Sequence, residues 1–140
     1  MKYEEFDKLI MEMSGDNVSD DYWYDIGVNE AMSILEDFSE NDWDLLKKNI
    51  MEKPLNWKKR LVYCFEEEGD IREINIILSL VETKDKELFE MCIDSLRLLI
   101  NENNKDLIVN NNELIKKMRK MESMDNILGR IIREFLNKLQ

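Results

Sequence analysis

Apolar residues recur at intervals of three and four along almost the whole chain, and nowhere do they alternate with polar residues as a half-buried strand requires. That spacing predicts an all-α protein. Phe6, Leu9, Ile10 and Met13 make one face of a first short helix that Gly15 helps to end. A polar and aromatic segment from Asp16 to Gly27 follows, after which Val28, Ala31, Met32 and Leu35 set a second helix reaching about Phe38. Ser39 or Asn41 caps a third, with Asp42 and Asp44 in its positive first turn and Trp43, Leu46 and Ile50 inward. Pro54 closes that helix and opens the next, whose stripe is Trp57, Leu61, Cys64 and Phe65, ending at Gly69.

The middle of the chain is apolar on two sides. Asp70 and Glu73 have capping-box spacing, and the helix they start carries Ile71, Ile74, Ile77, Leu78 and Val81 on one face and Ile76 and Leu80 on another. From Thr83 or Asp85 a longer helix sets Phe89, Cys92, Ile93, Leu96, Leu99 and Ile100 against a second stripe of Leu88, Met91 and Leu98. A helix interrupted near Asn110, Asn111 and Asn112 and a last one through Ile127 to Leu139 bring the count to seven or eight. Helix pairs therefore occupy about 41 to 68, 70 to 101 and 105 to 139, a repeat of roughly 30 to 35 residues. Two-sided central helices fit a short α-solenoid of stacked antiparallel pairs, and an irregular helical bundle is the alternative. At 140 residues the chain is expected to form a single domain, with acidic N-terminal helices and a loop over 1–40 and the helix pairs over 41–140.

Composition narrows the function. The chain has no histidine, which removes Ser-His-Asp and Cys-His nucleophiles, histidine-ligated zinc and Glu-x-x-His di-iron sites. It has no GxxxxGK[ST], GxGxxG or GxSxG, so no nucleotide site or hydrolase elbow is expected. We expect no catalytic residue, metal or cofactor. Cys64 and Cys92 fall within apolar stripes and are expected to be reduced core thiols, as in a cytoplasmic protein. No secretion signal is expected from the acidic start Met1 to Lys8, and no apolar run approaches the 18 or so residues that span a bilayer.

Asp and Glu number 31 against 20 Lys and Arg, a net charge of −11 that opposes direct binding to nucleic acid or an anionic membrane. Residues 1–70 hold 19 acids and 8 bases and the remainder 12 of each, so the whole excess is N-terminal. Between Lys8 and Lys47 there is no Lys or Arg, while Glu12, Asp16, Asp20, Asp21, Asp25, Glu30, Glu36, Asp37, Glu40, Asp42 and Asp44 are all acidic. Like charges gathered without lysines repel, which is expected where an oppositely charged partner covers them. Tyr22, Trp23, Tyr24 and Trp43 lie among them, and Tyr and Trp are the side chains that anchor protein interfaces. The expected partner-binding surface is Asp16, Asp20, Asp21, Tyr22, Trp23, Tyr24, Asp25, Glu36, Asp37, Asp42, Trp43 and Asp44. Asp16 to Asp20 lacks the ligand spacing of a calcium loop, and Glu66, Glu67 and Glu68 are expected to be a solvated helix end.

With helix pairs of this length, an acidic N-terminal third and the segments Asn56-Trp57-Lys58-Lys59-Arg60-Leu61-Val62-Tyr63-Cys64-Phe65 and Asp94-Ser95-Leu96-Arg97-Leu98-Leu99, the chain resembles the small HEAT-like helical immunity proteins of bacterial polymorphic and contact-dependent toxin systems. The resemblance spans residues 41 to 139 in pattern. It implies a cytoplasmic, non-enzymatic inhibitor, monomeric when free, that forms a heterodimer with its cognate toxin domain, often a nuclease. The alternative expectation is a helical-repeat adaptor or regulatory module that holds a peptide or partner helix.

Overall fold

The structure is a computed structural model that describes residues 1–140. It is all-α, without a strand, and its backbone divides into two compact units, Met1–Phe65 and Glu66–Gln140. In the first unit α1 covers Lys2–Met13. A continuous helix α2 follows, made of a turn Asp20–Tyr22, a wider π-turn Trp23–Gly27 and a regular stretch Val28–Glu36. Helix α3 (Glu40–Asn49) runs on through a 3₁₀ turn Ile50–Glu52, and α4 covers Leu55–Tyr63. In the second unit lie α5 (Ile71–Leu80), α6 (Lys86–Leu99), α7 (Asp106–Val109), α8 (Asn112–Met121) and α9 (Ile127–Lys138).

Nine helices result against the seven or eight that the spacing predicts, and the asparagine interruption that separates α7 from α8 adds one of them. Asn111 starts α8 by accepting the Leu114 N–H at 3.2 Å. A second difference lies at Asp16–Gly27, expected to be a loop, where helix begins at Asp20. The Ser19 hydroxyl accepts the Tyr22 N–H at 3.1 Å, and Asp20 and Asp21 occupy the positive first turn. A third lies at the end of α4, which stops at Tyr63 instead of running to Glu68. Three consecutive glutamates would sit at the negative end of that helix, so Glu66–Glu68 occupy an exposed turn instead.

In the first unit α1 packs against α2, α3 and α4, so the acidic first forty residues share one core with residues 41–65. Phe6, Ile10, Trp23, Ala31, Leu46, Ile50, Trp57 and Leu61 are fully buried there. Phe6 meets Phe38 and Trp57 edge-on at 5.6 and 5.9 Å, and Phe38 meets Trp43 at 5.3 Å. Asp7 ties the unit together by accepting from Lys53 Nζ at 2.8 Å and Trp57 Nε1 at 3.0 Å through one oxygen. In the second unit α6 packs against both α5 and α9, which accounts for its two apolar faces. Cys64 and Cys92 are free and buried, and burial pushes the Cys92 thiol up to about 12.

Asp70 caps α5 by accepting the Arg72 and Glu73 N–H groups at 2.9 and 3.3 Å. The expected reciprocal half of that box is absent, because Glu73 turns instead to accept the Glu67 N–H at 3.3 Å. Burial, reinforced by the nearby Asp70 and Glu67 carboxylates and opposed by the Glu67 N–H and by Arg72, pushes Glu73 up to about 8 from an ordinary 4.5. Between those values the native state holds a proton that the unfolded state has released. Stability contributed below 4.5 is therefore lost as pH rises toward 8, with a slope of at most about 1.4 kcal/mol per pH unit. Urea midpoints measured from pH 5 to 9 should fall and then level, and Glu73→Gln should flatten the decline.

Candidate functional site

Helix α2 presents two unlike sides across its π-turn. Trp23 and Gly27 both point inward, and Tyr22, Tyr24, Asp25 and Ile26 stand out in solvent, the two tyrosines 46% and 48% exposed. Gly27 is required by close approach: a Cβ there would lie 2.7 Å from Met13 Sδ and 2.9 Å from the Trp23 ring. The inward tryptophan thereby fixes how far out its neighbours project.

Helix α4 completes the surface. Arg60 Nη2 reaches Asp20 Oδ1 at 2.8 Å, and its guanidinium carbon lies 5.1 Å from the Trp23 ring centre. One turn further on, Tyr63 meets Trp23 at 6.3 Å and Tyr24 at 4.9 Å, with the last two rings inclined at 49°. Asp20, Tyr24, Arg60 and Tyr63 thus form a continuous seam over Trp23. Arg60 and Tyr63 are absent from the sequence-derived set. Their signal was available: they stand three apart on α4, off its apolar stripe of Trp57, Leu61 and Cys64.

Three members of the expected surface require correction. Trp23 is fully buried and Trp43 is 6% exposed, both as core rings, so neither can anchor a partner directly. Asp42 is 3% exposed. It accepts from the Ser39 N–H and hydroxyl, each at 2.9 Å, and from the Tyr3 N–H at 3.0 Å, closing the capping box of α3 and holding the start of α1. The Ser39 backbone N–H, then the Tyr3 N–H and the Ser39 hydroxyl, hold its carboxyl below the ordinary carboxylate range against the opposing effect of burial. Asp42→Ala should therefore cost about 1–2 kcal/mol of stability at neutral pH, read as a lower urea midpoint. The wild-type advantage should shrink as acid protonates the carboxylate in the unfolded and then the folded state.

Asp16, Asp20, Asp21, Tyr22, Tyr24, Asp25, Glu36, Asp37 and Asp44 are exposed. They do not form one patch. Glu36 and Asp37 lie at the far end of α2, about 25 Å along the helix axis from Asp20. Asp44 borders a shallow hollow with Met1, Asn41, Leu45 and Lys48. What α2 gathers is Asp20, Asp21, Tyr22, Tyr24 and Asp25. Of these acids only Asp20 has an ion-pair partner, since Arg60 crosses from a helix outside the lysine-free stretch. The expectation that all eleven acids lack compensation is thus corrected at Asp20, neutralised by a cation, and at Asp42, satisfied by N–H and O–H donors.

The C-terminal cations are largely engaged within their own unit. Arg133 Nη1 donates to the Glu122 and Met124 carbonyls at 2.7 and 3.1 Å, Arg119 pairs with Glu122 at 3.0 Å and Arg97 with Asp94 at 2.6 Å. Lys117 Nζ lies 4.0 Å from the Phe89 ring centre. No group of three Cys, Asp or Glu side chains converges where a metal ion could be held, and no helix is long and apolar enough to cross a membrane. No family model, curated protein or solved structure matches this chain.

Proposed function

We propose that the protein is an inhibitor of the immunity type, which binds a basic bacterial toxin domain through the outward face of α2 and the adjoining Tyr63. The observation that carries this reading is the exposure, side by side, of Asp21, Asp25, Tyr22 and Tyr24 with no cation of the chain paired to either carboxylate. Charge of this kind speeds the approach of a basic partner, and half-exposed tyrosines then slow its departure. A nuclease domain, cationic because its substrate is anionic, is the class of toxin that fits best.

Asp21→Asn together with Asp25→Asn is the sharpest test, since Asp20 keeps its pair with Arg60 in that variant. Against a basic toxin domain, sought first in the coding region next to this chain, the double variant should associate about five- to ten-fold more slowly at low salt with unchanged helicity. Wild-type affinity should fall steeply from 50 to 300 mM salt, and co-expression should rescue cells from the toxin. Unchanged association by the double variant would discard the surface.

A helical adaptor remains the second reading, favoured by a hollow in the second unit lined by Ile71 and Leu107 with Asn103, Asp106 and Asn110. A ligand held there would bind with little dependence on salt.

A further inference from the structure

The first unit already contains one seated guanidinium. Arg60 lies over the Trp23 ring with Asp20 as its counter-ion, and its side chain is only 13% exposed although Asp20 is 76% exposed. Beside it a second aromatic position of the same kind has no cation. Tyr24 and Tyr63, 4.9 Å apart and inclined at 49°, open toward solvent as a tilted pair, 48% and 44% exposed. Asp25 follows Tyr24 directly and Asp21 lies one turn before it, both exposed. Exposed ring surface and nearby carboxylates are what a cation needs, and a flat group covers a ring face more fully than a tetrahedral one.

We propose that the outer side of the Tyr24–Tyr63 notch is the seat of an arginine side chain from the basic partner, stacked on an exposed ring face with Asp21 or Asp25 as its counter-ion. This rests on reading the α2 face as a docking surface for a cationic protein, and adds the residue type that the face selects. A guanidinium is planar and weakly hydrated, so it stacks on tyrosine while keeping its N–H groups free for a carboxylate; an ammonium is compact and gives up water reluctantly. The pairing of Arg60 with Trp23 and Asp20 is the same arrangement made within the chain. The two positions adjoin along the chain, since Trp23 and Tyr24 are consecutive residues of the π-turn, one turned in and the other out.

The test compares two capped peptides of equal length and charge, one arginine-rich and one lysine-rich, by titration calorimetry at low salt. Wild-type protein should bind the arginine peptide about two- to five-fold more tightly than the lysine peptide. Tyr24→Leu with Tyr63→Leu should abolish that preference while keeping charge-driven binding of both peptides. Tyr24→Phe with Tyr63→Phe keeps the rings and should keep the preference, and each single Leu variant should keep part of it. Equal affinity of wild-type protein for the two peptides, failure to bind either, or a preference that survives in the double Leu variant would each overturn the notch. The docking face is judged separately by Asp21→Asn with Asp25→Asn. Loss of affinity for both peptides there, alongside equal binding by wild-type protein, would leave the face standing without the notch; unchanged affinity for both would remove the face.

Discussion

Gly129→Ala is expected to destabilise the second unit by about 3 kcal/mol, although alanine is the better helix former by about 1 kcal/mol. Gly129 is the third residue of α9, and its N–H donates to the capping Asn126 side chain at 2.9 Å. On propensity alone the substitution would stabilise. The sign reverses because the added Cβ would overlap the Met124 carbonyl oxygen and come within 2.8 Å of the Met124 carbonyl carbon. Backbone atoms cannot swing aside as the end of a methionine can. Moving that carbonyl also disturbs the Arg133 guanidinium, which donates to it at 3.1 Å. The loss should appear as a lower thermal midpoint and as faster amide exchange within α9. A midpoint at or above that of wild type would show that the turn before α9 gives way freely.

Trp57→Ala is expected to cost the first unit about 3–5 kcal/mol, enough to leave much of it unfolded at room temperature. The ring is fully buried, meets Phe6 edge-on at 5.9 Å and lies under Lys53 Nζ at 5.2 Å. Its removal leaves a large cavity and deprives Asp7 of one of two donors. Trp57→Phe separates these effects, because it keeps most of the ring volume and loses only the Nε1 donor, and should cost about 1 kcal/mol. All three tryptophans belong to residues 1–65, so fluorescence follows that unit alone. Urea unfolding monitored in this way should show a much lower midpoint for the alanine variant. A loss below about 1 kcal/mol would mean that neighbouring side chains refill the space.

Much of this fold was legible in apolar spacing, because helices that bury a stripe must repeat every three to four residues. Ser39, Asp70, Asp85 and Asn111 cap helices, and three of the four were foreseeable as short polar residues ahead of an apolar run. The segment from Asp16 to Gly27 was not legible. Only Trp23 and Gly27, four apart, lie inward there, while Ile26 stands in solvent and the rest is acid and tyrosine, so the sequence shows no apolar stripe and resembles an irregular loop. For the candidate surface, the acids and tyrosines could be found from composition, but their partners could not. Arg60 comes from a helix forty residues later, and Asp42 looks like any surface acid until the Tyr3 N–H is brought onto it. Trp43 and Trp23 were misassigned for a related reason: aromatic residues serve cores and interfaces alike, and only the packing of α1 against α2 and α3 separates those uses.

The wide turn in α2 also gives the helix two independent azimuths. Upstream of it the side chains are aimed by Trp23, and downstream by Ala31 and its neighbours, with one extra residue absorbing the mismatch in phase. Changes at the exposed positions 21, 22 and 24 to 26 can therefore alter what the molecule shows to its surroundings while Trp23 and Ala31 keep their places in the interior. Such a joint separates the outward chemistry of the helix from its load on the fold, so the first can vary at little cost to the second.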